Sequence, residues 1–294
     1  PRQNDAVNSC WMPDSHRLNY KYINAETRIP QPVIRTDAEA PHRPSTWEPA
    51  LASAAEAVKR IAPNQLAIIA SGRMTNEELY MVRHLAAQIG TDMVDIVPRM
   101  GESDGMLISA DRNPNTNGAR LVLGIEPGSR LDAIREGVRS GSIKGILSLG
   151  EDLISPEAGF TAEDLDKLDY LFMTAHSANE TARHADLVLP GVTYAEKFGT
   201  MINVTGRIQR LNRAIQPIGY ARDDWQIFRD ITLLLGGNPA LKDFNSALDI
   251  LTAMSTEYGA LNGVSWGSIG DGGQPILETG VTIPVVEREK NQGR

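Results

Sequence analysis

The sequence predicts an α/β fold in which a doubly wound, mostly parallel sheet of five or six strands carries helices on both faces. Three observations support that expectation. Leu66-Ala67-Ile68-Ile69-Ala70 is a continuous apolar run, the pattern of a strand buried on both sides of a parallel sheet. Thr75 to Gly90 then reads as a helix, with a Thr-x-x-Glu capping box, an apolar stripe at Leu79, Val82, Ala86 and Ile89, and a glycine stop. From Leu121 to Leu189, short apolar runs alternate with helical patterns at spacings that suit right-handed crossovers.

In chain order, residues 1–46 are polar, hold six prolines and sustain no period of 2 or 3.6, so they read as an irregular segment laid over something else. Trp47, Leu51, Ala54, Val58 and Ile61 share one face of a helix over about 46–61. Ser71-Gly72-Arg73 turns the chain, Met93–Val97 is a strand, and Arg99–Gly118 is a loop rich in Gly, Asp and Asn. Leu121–Leu123 is read as a short strand, Ser129–Arg139 as a helix and Ile143–Leu149 as a strand. Asp164–Leu168, Tyr170–Met173, Ser177–His184 and Asp186–Leu189 repeat the alternation, the third opening on a Ser-x-x-Glu box. Residues 191–217 read as irregular, Asp224–Leu235 as a helix and Ala247–Met254 as a shorter one. Residues 259–294 are Gly-rich and read as an extended arm. The expected divisions are therefore 1–46, 47–190, 191–258 and 259–294.

Composition narrows the function classes. With 29 basic against 37 acidic residues the net charge is −8, which offers no basic field for a nucleic-acid backbone. No apolar run approaches the roughly 18 residues of a membrane span. A single cysteine, Cys10, rules out an internal disulfide and any cluster ligated only by this chain's thiolates. It reads as a small packed hydrophobe, since no base partner can be named for it.

No phosphate-loop, zinc-protease or nucleophile-elbow motif occurs. The Gly267–Gly273 cluster lacks the flanking strand and helix of a phosphate loop. The candidates that remain lie where open sheets place their ligands, just beyond strand ends. They are Gly150-Glu151-Asp152, His176, and Asn179-Glu180-Thr181. Each also has a structural reading, as a turn, a backbone-bonded loop histidine or a helix cap, and no catalytic constellation emerges.

Several blocks resemble the molybdopterin oxidoreductase superfamily, most closely the C-terminal part of the large iron–sulfur subunit of respiratory complex I. They are Arg2 to Asn8 with Arg17 and Tyr20; Thr27-Arg28-Ile29 with Gln31 to Arg35; Trp47 to Leu51; and Thr75 to Tyr80. The most specific series is Asn179-Glu180-Thr181, Ala185 to Pro190, Glu196 to Thr200 with Asn203, Gly206 to Gln209, and Asp224-Trp225. The resemblance covers roughly residues 1–236.

It implies Rossmann-like layers and a pterin crevice at Gly150, Glu151, Asp152, His176, Asn179, Glu180 and Thr181, should a pterin be bound. It also exposes departures. Pro13 stands where relatives carry the fourth cysteine of a four-iron cluster, Ser15 where they carry a basic residue, and His16 where they carry glycine. The resemblance, read with those losses, implies a domain kept for shape, with no catalytic residue, no metal ligand and no cofactor of its own. Iron–sulfur clusters would lie only upstream of Pro1, in a longer polypeptide. Partners would be other subunits of the peripheral arm of an NADH:quinone oxidoreductase, at the cytoplasmic face of the inner membrane. The alternative is a pterin- and molybdenum-binding module of a formate-dehydrogenase-like oxidoreductase.

Overall fold

The computed structural model describes residues 3–35 and 40–291. Arg2 of the first resemblance block and residues 292–294 of the expected arm lie outside them. Ten strands are described: β1 (Val33–Ile34), β2 (Arg43–Pro44), β3 (Leu66–Ala70), β4 (Val94–Ile96), β5 (Gly145–Leu149), β6 (Tyr170–Ala175), β7 (Leu187–Pro190), β8 (Gly199–Ile202), β9 (Arg207–Leu211) and β10 (Gln274–Pro275). The α-helices are α1 (Asp14–Arg17), α2 (Trp47–Arg60), α3 (Asn76–Ile89), α4 (Thr116–Leu123), α5 (Leu131–Ser140), α6 (Ala162–Leu165), α7 (Glu180–His184), α8 (Asp224–Leu234), α9 (Ala247–Glu257), α10 (Trp266–Ile269) and α11 (Pro284–Asn291).

The main sheet has seven strands in the order β2-β1-β7-β6-β5-β3-β4. The five from β7 to β4 are parallel, while β1 and β2 extend the β7 edge antiparallel. Alternate side chains of the buried strands feed two cores, as the two-residue period of a strand requires. Leu66, Ile68, Leu147 and Phe172 meet α2, α3 and α8 on one face. Ala67, Ile69, Ile146 and Leu171 meet α5 on the other. The expected doubly wound layers are therefore present.

The cap chemistry of α3 is as its sequence indicates. Thr75 Oγ1 accepts from the Glu78 amide, the Glu78 carboxylate accepts from the Thr75 amide, and Gly90 closes the helix at φ +81°. Asp95, wholly buried on edge strand β4, accepts from the amides of Gly128 and Arg130 and so ties in the start of α5. A carboxylate there also makes that sheet edge unattractive to a further strand.

The structure corrects five expectations. Leu121–Leu123 is not a strand but the last turn of α4, whose buried face is Thr116, Ala119 and Val122 and whose stop is Gly124 at φ +68°. Three apolar residues in a row fit either element, and here the i, i+3 spacing decides. Residues 191–217 are not irregular throughout, because β8 and β9 form an antiparallel hairpin that β10 extends to a three-stranded sheet. Its turn demands Gly206, at φ +79°, where a Cβ would lie 2.1 Å from the Leu277 carbonyl oxygen. The cap of α7 is Asn179, whose Oδ1 accepts from the Ala182 amide at 2.9 Å, and not Ser177. Much of the expected arm folds back, since Leu261, Val264 and Ile269 are buried in the α3/α8 core and Gln274–Pro275 pair with β9. Cys10 is exposed rather than packed.

Candidate functional site

In the order β4-β3-β5-β6-β7 the chain runs outward from β3 in both directions, so the topological switch point lies between β3 and β5. The loops beyond the carboxyl ends of β3, β5 and β6 are Ser71-Gly72-Arg73, Gly150-Glu151-Asp152 and His176 to Asn179. Every residue expected at a pterin crevice lies at this end of the sheet. Most are already engaged.

Gly150 leaves β5 at φ +74° while its amide continues the ladder to the Thr174 carbonyl at 3.0 Å. Glu151 is buried and pairs both carboxylate oxygens with the Arg99 guanidinium. Asp152 Oδ1 accepts from the Thr181 hydroxyl at 2.6 Å, and that hydroxyl accepts from the Leu153 amide at 2.7 Å. The loop is thereby laced to α7. Asn179 caps α7, while Glu180 turns outward to an exposed pair with Arg183 at 2.9 Å.

His176 is covered from the N-terminal segment. The Tyr22 ring sits 5.2 Å from the imidazole at 34°, and Tyr194 lies 6.4 Å beyond Tyr22. Nδ1 faces the Ser177 hydroxyl at 2.8 Å. Burial, followed by the charges of Arg28, Lys197 and Arg73, pulls the imidazole down to about 4, so it is neutral near pH 7. Arg28 fixes this cover: its guanidinium donates to the His176 and Ile23 carbonyls and to both oxygens of Glu196. The Arg28 and Glu196 side chains are each 2% exposed.

Three residues of the crevice were not singled out from sequence: Tyr22, Arg73 and Arg99. Arg73 directly follows β3 at the switch point, a signal of position that its reading as a turn residue passed over. Its side chain is exposed and makes no hydrogen bond or ion pair among the described residues.

Other residues of the most specific series, Lys197, Thr200, Asn203 and Asp224, converge with the Thr75 to Tyr80 block where α3 meets β8 and α8. Glu77 Oε2 accepts from the Thr200 amide and Oε1 from its hydroxyl, both at 2.8 Å. Asn76 also donates to that hydroxyl, and Asn115 links Asn76 to the Ile202 amide. Lys197, buried, donates to Glu78 at 2.6 Å and lies 3.7 Å from Asp224. Burial alone would pull its ammonium down, but Glu78 and Asp224 more than offset this and raise it. Asn203 Oδ1 holds the hairpin turn through the amides of Thr205 and Arg207. These polar residues join elements, and of them only Asn203 also lines a groove described below.

Pro13 opens the short helix α1, where its carbonyl accepts from the amides of His16 and Arg17. Among the described residues no three His, Cys, Asp or Glu side chains are grouped to hold a metal ion. A groove of about 410 Å³ lies on the hairpin side, lined by His16, Ile108, Arg112, Met201, Gln209 and Arg210, among others. None of the expected crevice residues lines it.

Residues 97–232 match the family model for molybdopterin oxidoreductase. The chain carries a molybdopterin-oxidoreductase-like domain. It is 33% identical over 138 residues to a candidate formate dehydrogenase of Staphylococcus haemolyticus, covering 46% of this chain and 14% of that protein. It is likewise 33% identical over 136 residues to the alpha subunit of an NADPH-Fe(3+) oxidoreductase of Geobacter sulfurreducens, covering 46% of this chain and 16% of the relative. The matched stretch is thus a small part of each of these longer proteins. The fold is similar to that of acetylene hydratase from Pelobacter acetylenicus, with a TM-score of 0.58 at 9% identity over 87% of this chain and 67% of the other. No helix among the described residues is long and apolar enough to cross a membrane.

The crevice does not fit a pterin dinucleotide as it stands. Glu151 is neutralised by Arg99, Asp152 is spent on Thr181, Glu180 faces away, and Tyr22 lies on His176. Among the described residues of these loops, Arg73 alone offers an anion a guanidinium without a hydrogen bond or ion pair, beside the Arg99–Glu151 pair.

Proposed function

We propose that this chain is a noncatalytic scaffold, a molybdopterin-oxidoreductase-like domain whose cofactor crevice is filled by its own side chains. The observation that carries the reading is the seating of Tyr22 on His176, locked by the buried Arg28–Glu196 pair. A segment held this firmly over the strand ends stands where a ligand would lie. The pairing of Glu151 with Arg99 supports the same reading from the neighbouring loop.

The resemblance of residues 1–236 supports a place within the large iron–sulfur subunit of a complex-I-like NADH:quinone oxidoreductase. There the domain would support cluster-bearing segments and pack against other peripheral-arm subunits at the cytoplasmic face of the membrane. It would carry no pterin and no cluster ligand, with Pro13 at the position of the lost cysteine.

One observation favours a second reading, a pterin-binding module of a formate-dehydrogenase-like oxidoreductase. The unpaired guanidinium of Arg73 stands at the switch point, and a relative is named for that chemistry. The test is metal and pterin analysis of the natively purified assembly. Iron without molybdenum, tungsten or pterin is expected of the scaffold. Stoichiometric molybdenum or tungsten with pterin would overturn it and require the Tyr22 segment to move.

A further inference from the structure

The junction of α3 with β8 and α8 holds more acids than bases. Its carboxyl groups are Glu77, Glu78, Asp223 and Asp224, and each residue is buried. The cations against them are Lys197, on Glu78 and Asp224, and Arg213, on Asp223. Two acids are therefore left over. Glu77, fully buried, is held by the amide and hydroxyl of Thr200 with help from its own amide and the Thr75 hydroxyl, all neutral donors, and forms no ion pair among the described residues. Asp223 Oδ1 is buried without a hydrogen bond. Asp224 is pressed against Gly191, where a Cβ would come within 2.8 Å of Oδ1, so nothing larger than glycine fits beside it.

Among the described residues, the other charges on the elements packed here are paired elsewhere. From α4, Arg120 is occupied by Glu126 at the surface. From α9, Glu257 pairs with Arg83 and Tyr80 on α3, one to two turns beyond Glu77. From β9, Arg207 donates to the Gly272 and Gly273 carbonyls and Arg210 to Asp271. From α8 and the loop before it, Arg229 and Arg222 both serve Asp230.

We propose that this junction is a proton-holding latch: with Glu77 and Asp224 protonated the β8–β9 hairpin docks firmly on α3, and as those protons leave the hairpin loosens. The lever is direct. Glu77 is bonded to β8 itself, so an unpaired negative charge on Glu77 acts on the strand it holds, and a buried charge without a counter-ion is strongly disfavoured. Burial pushes Glu77 up to about 7 and raises Asp224 despite the opposing charge of Lys197. The sign follows. The docked state binds protons that an undocked, solvated carboxyl with an ordinary value of 4.5 gives up, so docking weakens as pH rises through about 7. One such carboxyl changes the docking equilibrium about tenfold between about pH 6 and about pH 8.

The test is amide hydrogen exchange on the full chain at those two pH values, corrected for intrinsic rates. Protection of residues 199–211 is expected to fall about tenfold or more in the wild type, with β3 and β5 unchanged. In Glu77→Gln, which keeps an acceptor for the Thr200 amide and cannot ionise, the fall should shrink by about that factor. An equal fall in the variant, a fall spread evenly over all strands, or no fall in the wild type would overturn the proposal. Should Glu77→Gln not fold, difference infrared spectra of the wild type decide. A protonated-carboxyl stretch present at about pH 6 and lost by about pH 8 supports the latch, and its absence at the lower pH refutes it.

Discussion

Two polar regions of this molecule are built from the same residue types and do opposite things. At the carboxyl ends of β3, β5 and β6, charged side chains sit where open α/β sheets bind ligands, yet Glu151, Asp152 and His176 are satisfied by Arg99, Thr181, Ser177 and Tyr22. Where α3 meets β8, other residues that carry the resemblance, Asn76, Glu77, Glu78, Lys197 and Thr200, bond one another in a buried network. A shared motif is therefore not by itself a shared site. Here the Asn76-Glu77-Glu78 and Lys197 to Thr200 blocks join α3 to β8 and α8.

The comparison breaks most readily at Lys197. Lys197→Met leaves Glu78 without its cation in the interior, a change that costs about 3–5 kcal/mol when a buried pair is broken on one side. Urea unfolding should show a loss of that size. The double variant Lys197→Met with Glu78→Gln should recover a large part of it, whereas additive losses would refute a buried pair. The crevice gives a smaller effect. Arg99→Met strands Glu151, but Arg99 is 11% exposed and water can reach the carboxylate it leaves, so about 2–3 kcal/mol is expected. A loss below about 1 kcal/mol would mean that Glu151 is available to something other than Arg99.

Much of the fold was legible because its determinants are local. The β3 run, the α3 stripe, the Thr75–Glu78 box and Gly90 lie within 25 consecutive residues, and each principle involved reads a short window. The hairpin was missed because only Gly199, Thr200, Ile202 and Ile208 of its strands are buried, and just two of these are apolar side chains, too few for a visible alternation among Gly, Asn and Thr. The crevice residues were located by position, since strand ends can be read from sequence. Their partners could not be. Arg99 meets Glu151 across 52 positions and Lys197 meets Glu78 across 119, contacts that exist only once the sheet order is set.

Tyr22→Ala sharpens the comparison from the crevice side. Removing the ring should return His176 from about 4 towards its ordinary 6.5, followed by nuclear magnetic resonance titration of the imidazole. In the wild type the unfolded chain binds the His176 proton below about 6.5 and the folded chain only below about 4. Stability therefore falls as pH drops through that window, and the variant should lose much of the dependence. A histidine that still titrates near 4 would mean that the Arg28 and Lys197 charges, and not the aromatic cover, hold it neutral.

The smallest effect belongs to Glu180, and it discriminates because both readings of the chain name this residue. If Glu180 belongs only to the surface of α7, its contribution is that of an exposed pair three residues apart, about 0.2–0.5 kcal/mol and screened by salt. Glu180→Gln should then leave the unfolding midpoint nearly unchanged, and the small difference should vanish at about 1 M salt. Neither its size nor its salt response should depend on Arg73→Gln, because the two side chains would share no ligand. A non-additive pair, or a shift in any bound anion when either is changed, would join Glu180 to the switch point and reopen the crevice as a binding site. Additivity would leave Arg73 as an isolated surface charge beside a crevice that the protein has closed with Tyr22 and Glu151.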